Sequence, residues 1–250
     1  RRARLEALSV QRDSKTPPYI VVEKILAAGE KLPMDWEVDG TTGYDFMDQV
    51  SALQHDGANA GWFAEFWSYL SGRAPDFESE ECAARCEILE SSFAGQLRAA
   101  AIAFHEAEPE IAQDDFARTL TLLLARFHAY RTYAETPSPQ FEAAYAAIKA
   151  AAPGAALEAI AAAVRGPGND AARRFNQLAA PVAAKAVEDT AFYRYGRLLS
   201  RNDVGFSPSC FAIGPDVFVD RMRARPPHAM LATATHDHKR GAEVRARLAA

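Results

Sequence analysis

Between residues 59 and about 187, apolar side chains recur at spacings of three and four almost without a break, and that period commits over half of the chain to α-helix. Trp62, Phe63, Phe66, Trp67 and Leu70 form the first stripe, ended by Ser71-Gly72. Ile88, Leu89, Phe93, Leu97, Ile102 and Phe104 continue it over 84–106, and Leu120, Leu123, Leu124, Phe127 and Tyr130 over 116–133. Segments 140–151, 155–164 and 170–178 complete the set, with Pro109, Pro137, Pro139, Pro153 and Pro167 marking the breaks. Many of these positions are Ala, the best helix former, whose small side chain lets helices pack closely. Trp62, Phe66, Trp67, Leu120, Leu124 and Phe127 are expected to be buried together.

Two short apolar runs flank this block. Tyr19-Ile20-Val21-Val22-Glu23-Lys24-Ile25-Leu26 follows Pro17-Pro18 and reads as a buried strand. Met230-Leu231-Ala232-Thr233-Ala234-Thr235 reads as another, ending on His236-Asp237, with a helix expected over 239–248. Strands this far apart in sequence can lie in one sheet, which is the layout of an insertion into an α/β barrel. Segments 19–26 and 229–235 are therefore expected to be parallel, and neighbours or one strand apart. Between the first strand and the helical block, the Gly-rich run Gly40-Thr41-Thr42-Gly43 leads into a helix with Met47, Val50 and Leu53. Residues 201–216 read as loop, and 216–225 as a short helix.

Composition excludes several partners. With 49% hydrophobic residues and a net charge of −5, the 250-residue chain can bury a large core but has no electrostatic attraction to nucleic acid or anionic membrane. No apolar run reaches the ~18–20 residues of a bilayer span, and no signal core follows the basic start Arg1–Arg4. The absence of an initiator Met and an opening that reads as helix fit a segment of a longer protein. Cys82, Cys86 and Cys210 cannot all pair, and the four-residue spacing of the first two is not a zinc motif, so reduced thiols in a cytoplasm are expected.

Three features could carry chemistry. Glu23 at the end of a buried strand is either a carboxylate paired with Lys24 or Lys239, or a working group. Asp237 either caps the last helix or acts beside His236. Residues 185–195 mix charges and tyrosines without the clean stripe of an amphipathic helix. Carboxylates at strand C-termini are the usual arrangement in barrel enzymes, and carboxylate pairs do glycosidic chemistry. Aromatics set among polar residues, such as Trp36, Tyr44, Phe192, Tyr193 and Tyr195, suit sugars, which stack by their apolar faces.

Val22-Glu23-Lys24-Ile25-Leu26, Gly29-Glu30, Leu32-Pro33, Trp36 and Gly40-Thr41-Thr42-Gly43-Tyr44-Asp45-Phe46 resemble the maltooligosyltrehalose synthases of the α-amylase superfamily. So do Arg131-Thr132-Tyr133, the segment 185–195 with Arg197-Leu198-Leu199-Ser200, and Ala232-Thr233-Ala234-Thr235-His236-Asp237 with Lys239-Arg240-Gly241. These motifs run in family order from about residue 19 to 246. The resemblance implies part of a (β/α)8 barrel with a large, mostly α-helical insertion, the chain as a whole being predominantly helical. Residues 1–58 would be a barrel segment around strands 5 and 6, 59–200 the insertion, and 201–250 the segment with strand 7 and its helix.

The implied activity is conversion of the reducing-end α-1,4-linked glucose of a maltooligosaccharide to an α,α-1,1 linkage by a retaining mechanism. Glu23 would be the general acid/base and Asp237 the stabilising carboxylate, with His236 beside it. Tyr44, Lys185, Glu188, Asp189, Tyr193 and Arg194 would hold the released glucose. The family's nucleophilic Asp, in an Arg-x-Asp-His context, has no counterpart in this chain, and residues 1–16 read as the helix that follows it. His238 stands where the family has Thr, and Ala242 where it has an acidic residue. No metal or organic cofactor is implied. The substrate is a maltooligosaccharide, and a maltooligosyltrehalose trehalohydrolase is the implied pathway partner. The competing readings are a hydrolase of the same superfamily and a helical module inactive on its own.

Overall fold

The computed structural model describes residues 18–27, 29–133 and 138–250. The helix expected over 1–16 and the break at Pro137 lie outside them. The chain divides into two compact units, residues 1–63 with 198–250 and residues 64–197.

The first unit is short on regular structure. β1 (Val21–Val22) pairs in parallel with β2 (Gly40–Thr41), Val21 opposite Gly40 and Val22 opposite Thr41. Met230 N–H donates to the Thr41 carbonyl at 3.1 Å, so segment 230–235 runs beside β2 and one element away from β1. The strand expected over 19–26 is thus ladder-bonded only at Val21–Val22. The strand expected over 229–235 does not form: the segment is irregular, with a bend at Thr233, and is outside the sheet of the described residues. Its apolar run suggested burial on both faces, yet Met230 and Leu231 are exposed, and a lone backbone bond makes no ladder.

Two glycines allow this close approach. A Cβ on Gly40 would fall 2.4 Å from the Ala229 Cβ, and one on Gly43, whose φ is +95°, 2.8 Å from the Ala232 nitrogen. Gly43 precedes α1 (Tyr44–Leu53), which buries Tyr44, Met47, Ser51 and Ala52. Tyr44 and Met47 join Val204 and Phe206, with Ile25 against them, in the unit's apolar cluster. Two buried ion pairs also cross its interior, Arg201–Asp48 and Arg245–Asp203. Arg201, 1% exposed, donates to the Asp48 carboxylate and to the carbonyls of Asp48 and Cys210. α9 (Pro215–Ala224) and α10 (Ala242–Ala249) belong to this unit too.

The second unit is helical. α2 (Ala60–Ser71) enters it at Ala64, followed by α3 (Phe77–Glu90), α4 (Ala94–Ala107), α5 (Gln113–Arg126), α6 (Pro139–Ala151), α7 (Ala155–Arg165) and α8 (Asp170–Val182). Side chains cap three starts: Asp76 accepts from Ser79 N–H, Ser138 from Phe141 N–H and Asn169 from Ala172 N–H. α5 is the hub, packed against α3, α4, α6 and α7. Its Phe116, Leu120, Leu123 and Leu124 are all fully buried, and Phe127, Phe141 and Phe175 cluster beside it with centroids 5.6–6.3 Å apart. Each such side chain contributes roughly 1.5–3 kcal/mol.

The expected common core was wrong in part. Leu120, Leu124 and Phe127 are buried, but Trp62 is 59% and Phe66 46% exposed. Trp67 is half-buried, edge-on to Tyr195 at 5.8 Å and against Gly196. Periodicity identifies a stripe but not what covers it. Helix ends moved as well. The chain turns at Ser91–Phe93 within the expected 84–106 helix, and leaves the helix at Phe127.

Candidate active site

Glu23 follows β1 directly, Tyr44 opens α1, and His236-Asp237 follow the irregular segment 230–235. All belong to the first unit, and their side chains converge. The Tyr44 hydroxyl lies 3.2 Å from Glu23 Oε1 and 3.3 Å from Asp237 Oδ2. It has one proton, so it donates to one carboxylate at a time. His236 Nε2 is 3.4 Å from Asp237 Oδ1 and 3.8 Å from Glu23 Oε1. The two carboxylates are about half exposed and His236 more so, while the Tyr44 side chain is buried beneath them. Burial pushes the Tyr44 phenol up to about 12, opposed by a hydrogen bond with Thr235 and assisted by the charges of Asp237 and Glu23. Tyr44 therefore stays a neutral donor throughout the physiological range.

Lys24 pairs with Glu30 at 2.7 Å, and Glu23 faces Tyr44 and His236. Asp237 does not cap the last helix, which begins at Ala242 after Gly241. Oxygen and nitrogen atoms of Glu23, His236 and Asp237 lie within 4.8 Å of one another, a set that could touch a cation. Three half-exposed donors fall short of the roughly four to six ligands of a dedicated metal site, and the Tyr44 hydroxyl already sits between the carboxylates.

The other expected site residues lie in the second unit, on a nine-residue π-helical run, Ala183–Ala191, and the turn Phe192–Arg194. The run follows Pro181, which lacks the N–H that an α-helical bond would need. It explains the missing amphipathic stripe: a π-helix bonds i to i+5, so a 3.6-residue period cannot register there. Lys185 Nζ pairs with Asp189 at 2.6 Å, and Thr190 Oγ1 donates to the Lys185 carbonyl at 2.8 Å. Tyr130 donates to Glu188. Arg194 grips Glu87 through both nitrogens at 2.6 and 3.0 Å, and Tyr193 is 61% exposed.

Sequence reasoning missed the residues that orient segment 233–240. Thr235 N–H donates to His238 Nδ1 at 3.0 Å, and Asp237 N–H to Thr235 Oγ1 at 3.3 Å. Asp203, which accepts N–H groups from the end of that segment, sits in a loop where no periodicity marks it. A Ser–His contact also went unforeseen. His55 Nδ1 bonds the Ser51 carbonyl at 2.8 Å and Nε2 the Ser200 hydroxyl at 2.7 Å. Burial, with Arg201 nearby, holds the His55 pKa down. Ser200 is fully buried, so this arrangement has no route to a substrate.

No family model matches the chain. It is 33% identical, over 242 residues, to a Mycobacterium tuberculosis protein named "Putative maltooligosyl trehalose synthase", covering 92% of this chain and 30% of that one. The solved structure of maltooligosyltrehalose synthase from Arthrobacter ramosus superposes with a TM-score of 0.86 at 32% identity, over 99% of this chain and 32% of that chain. A Sulfolobus tokodaii structure titled a hypothetical maltooligosyl trehalose synthase gives 0.73 at 26% identity, over 98% and 32%. The chain thus spans about a third of the length of the relatives it matches.

Proposed function

From the premise that this chain is homologous along nearly its whole length to a segment of the maltooligosyltrehalose synthases, we propose that it carries part of the active site of such an enzyme. The reaction would move the reducing-end glucose of a maltooligosaccharide from an α-1,4 to an α,α-1,1 linkage. The observation that supports this is the meeting of Glu23, Tyr44, His236 and Asp237, delivered by segments some two hundred residues apart in sequence. Residues 1–58 and 201–250 are proposed as barrel segments and 59–200 as an insertion.

In this reading Glu23 protonates the leaving oxygen and later removes a proton from the incoming hydroxyl. Asp237 holds sugar hydroxyls and stabilises the positive transition state, with His236 beside it. The attacking carboxylate is supplied from outside this chain, which would be inactive alone. Tyr44 donates a hydrogen bond to Glu23 or to Asp237. Lys185, Glu188, Asp189, Tyr193 and Arg194 hold the freed glucose until it attacks through its anomeric hydroxyl. Among the described residues no helix is long and apolar enough to cross a membrane. A cytoplasmic site and a maltooligosyltrehalose trehalohydrolase acting next on the product complete the proposal.

The test is chromatography of the products made from maltopentaose by the protein expressed from the complete reading frame. Glu23→Gln keeps a hydrogen bond but cannot deliver a proton, and should lower turnover about 10²–10⁴-fold. Wild-type turnover in that variant would remove Glu23 from the chemistry. A second reading is a hydrolase of the same superfamily, in which the same carboxylates transfer the glycosyl group to water. Glucose as the main product, with no trehalose-ended chain, would favour it.

A further inference from the structure

Segment 233–240 carries His236 and Asp237, yet no sheet ladder holds it. A buried ion pair holds it instead, at both ends. Asp203 is fully buried. Its Oδ1 accepts from Val204 N–H and Lys239 N–H, each at 2.8 Å. Its Oδ2 accepts from Arg240 N–H at 3.2 Å and from Arg245 Nη1 at 3.0 Å. Arg245, 4% exposed, also donates to the carbonyls of Arg240 and Thr233, and its guanidinium lies 5.4 Å from the centroid of Phe206. Arg240 Nη1 in turn donates to the Asn202 carbonyl at 3.0 Å.

We propose that Asp203, together with Arg245, is a positioning residue that sets Asp237 and His236 against Glu23 and Tyr44. The inference rests on the functional reading above and extends it to residues that touch no substrate. Its logic lies in what the pair bonds. Asp203 takes the N–H groups of Lys239 and Arg240, two and three residues after Asp237, and Arg245 takes the carbonyl at the start of the same segment. Both partners address backbone groups of the segment. A buried ion pair is weak evidence for a stabilising role. One whose donors and acceptors come from both ends of one short segment fixes that segment's path. Glycosidic chemistry demands this, because a displacement of about 1 Å costs on the order of a hundred-fold in rate.

The experiment uses the protein from the complete reading frame, maltopentaose as substrate, and the variants Asp203→Asn and Arg245→Lys. Turnover should fall about ten- to a hundred-fold, with a much smaller change in KM. The ratio of free glucose to trehalose-ended product should rise several-fold, because a loosened segment admits water. That ratio is independent of how much enzyme is folded, so a purely structural role cannot move it. Turnover that falls only with the folded fraction, at an unchanged ratio, overturns the proposal. If Asp203→Asn does not fold, Arg245→Lys, which keeps the charge but not the forked geometry, carries the same readouts. If the unsubstituted protein makes no trehalose-ended product, the functional reading falls. The positioning claim is then decided by hydrogen exchange: the Lys239 and Arg240 amides should be protected and exchange faster in the variants, and unchanged exchange refutes it.

Discussion

The two units hold themselves together in different proportions. The second is a helical assembly around α5, whose buried face is apolar, with one buried pair, Arg85–Glu81, on α3. The first has only four strand residues among its described ones, a small apolar cluster, and an interior crossed by Arg201–Asp48 and Arg245–Asp203. Apolar packing is non-directional and tolerates rearrangement. Hydrogen-bonded charges do not, and they fix backbone where no ladder does. The unit with the sparser regular structure is the one that brings the candidate carboxylates together, and it does so through directional contacts.

The sharpest way to break that contrast is Arg245→Met. It leaves the Asp203 carboxylate buried without its cation, and loss of one partner of a buried pair costs about 3–5 kcal/mol. Denaturant unfolding should show this loss, and hydrogen exchange should rise over 233–240. Asp203→Leu added to Arg245→Met should not restore stability as it does for many buried pairs, because the N–H groups of Val204, Lys239 and Arg240 would lose their acceptor. Full recovery in the double variant would show that the pair is ordinary.

Leu124→Ala probes the other unit. It should cost about 2–5 kcal/mol through lost burial and a cavity, and this loss should soften with a volume-restoring second change nearby. An effect below about 1 kcal/mol would mean that α5 is not the hub its contacts indicate.

The smallest effect is a pH dependence at Tyr44. Its phenol rises from 10.0 to about 12 in the folded chain, so the folded state holds its proton longer than the unfolded state does. Its contribution to stability is whole below about pH 10 and is lost as pH climbs toward about 12. Tyrosinate absorbance against pH, compared with Tyr44→Phe, should reveal one late-titrating phenol. An unchanged titration curve would separate Tyr44 from the carboxylate charges. Tyr195 in the second unit is also raised, by burial, and should persist in the variant.

The helical block was legible because a 3.6-residue period survives any tertiary arrangement. The stripe on α5 is a local fact of this kind. The segment 230–235 misled because a short apolar run bounded by turns records a preference, whereas a strand exists only with a bonded neighbour. Trp62 and Phe66 misled for a related reason, since a stripe does not say what lies against it. The π-helical run left its trace only as the absence of a pattern.

Sequence by itself determined the chemistry at hand: a Glu after one apolar run, a His-Asp pair after another, and a Tyr after a glycine pair. It also determined a helical block between them, because these features depend on residue type and near neighbours. Only the tertiary structure decided that Glu23, Tyr44, His236 and Asp237 meet within hydrogen-bonding reach. It alone decided that Asp203 and Arg245 hold the segment bearing two of them. Contacts between residues some two hundred positions apart carry no local signature, and a buried ion pair is set by which backbone groups the fold leaves unsatisfied.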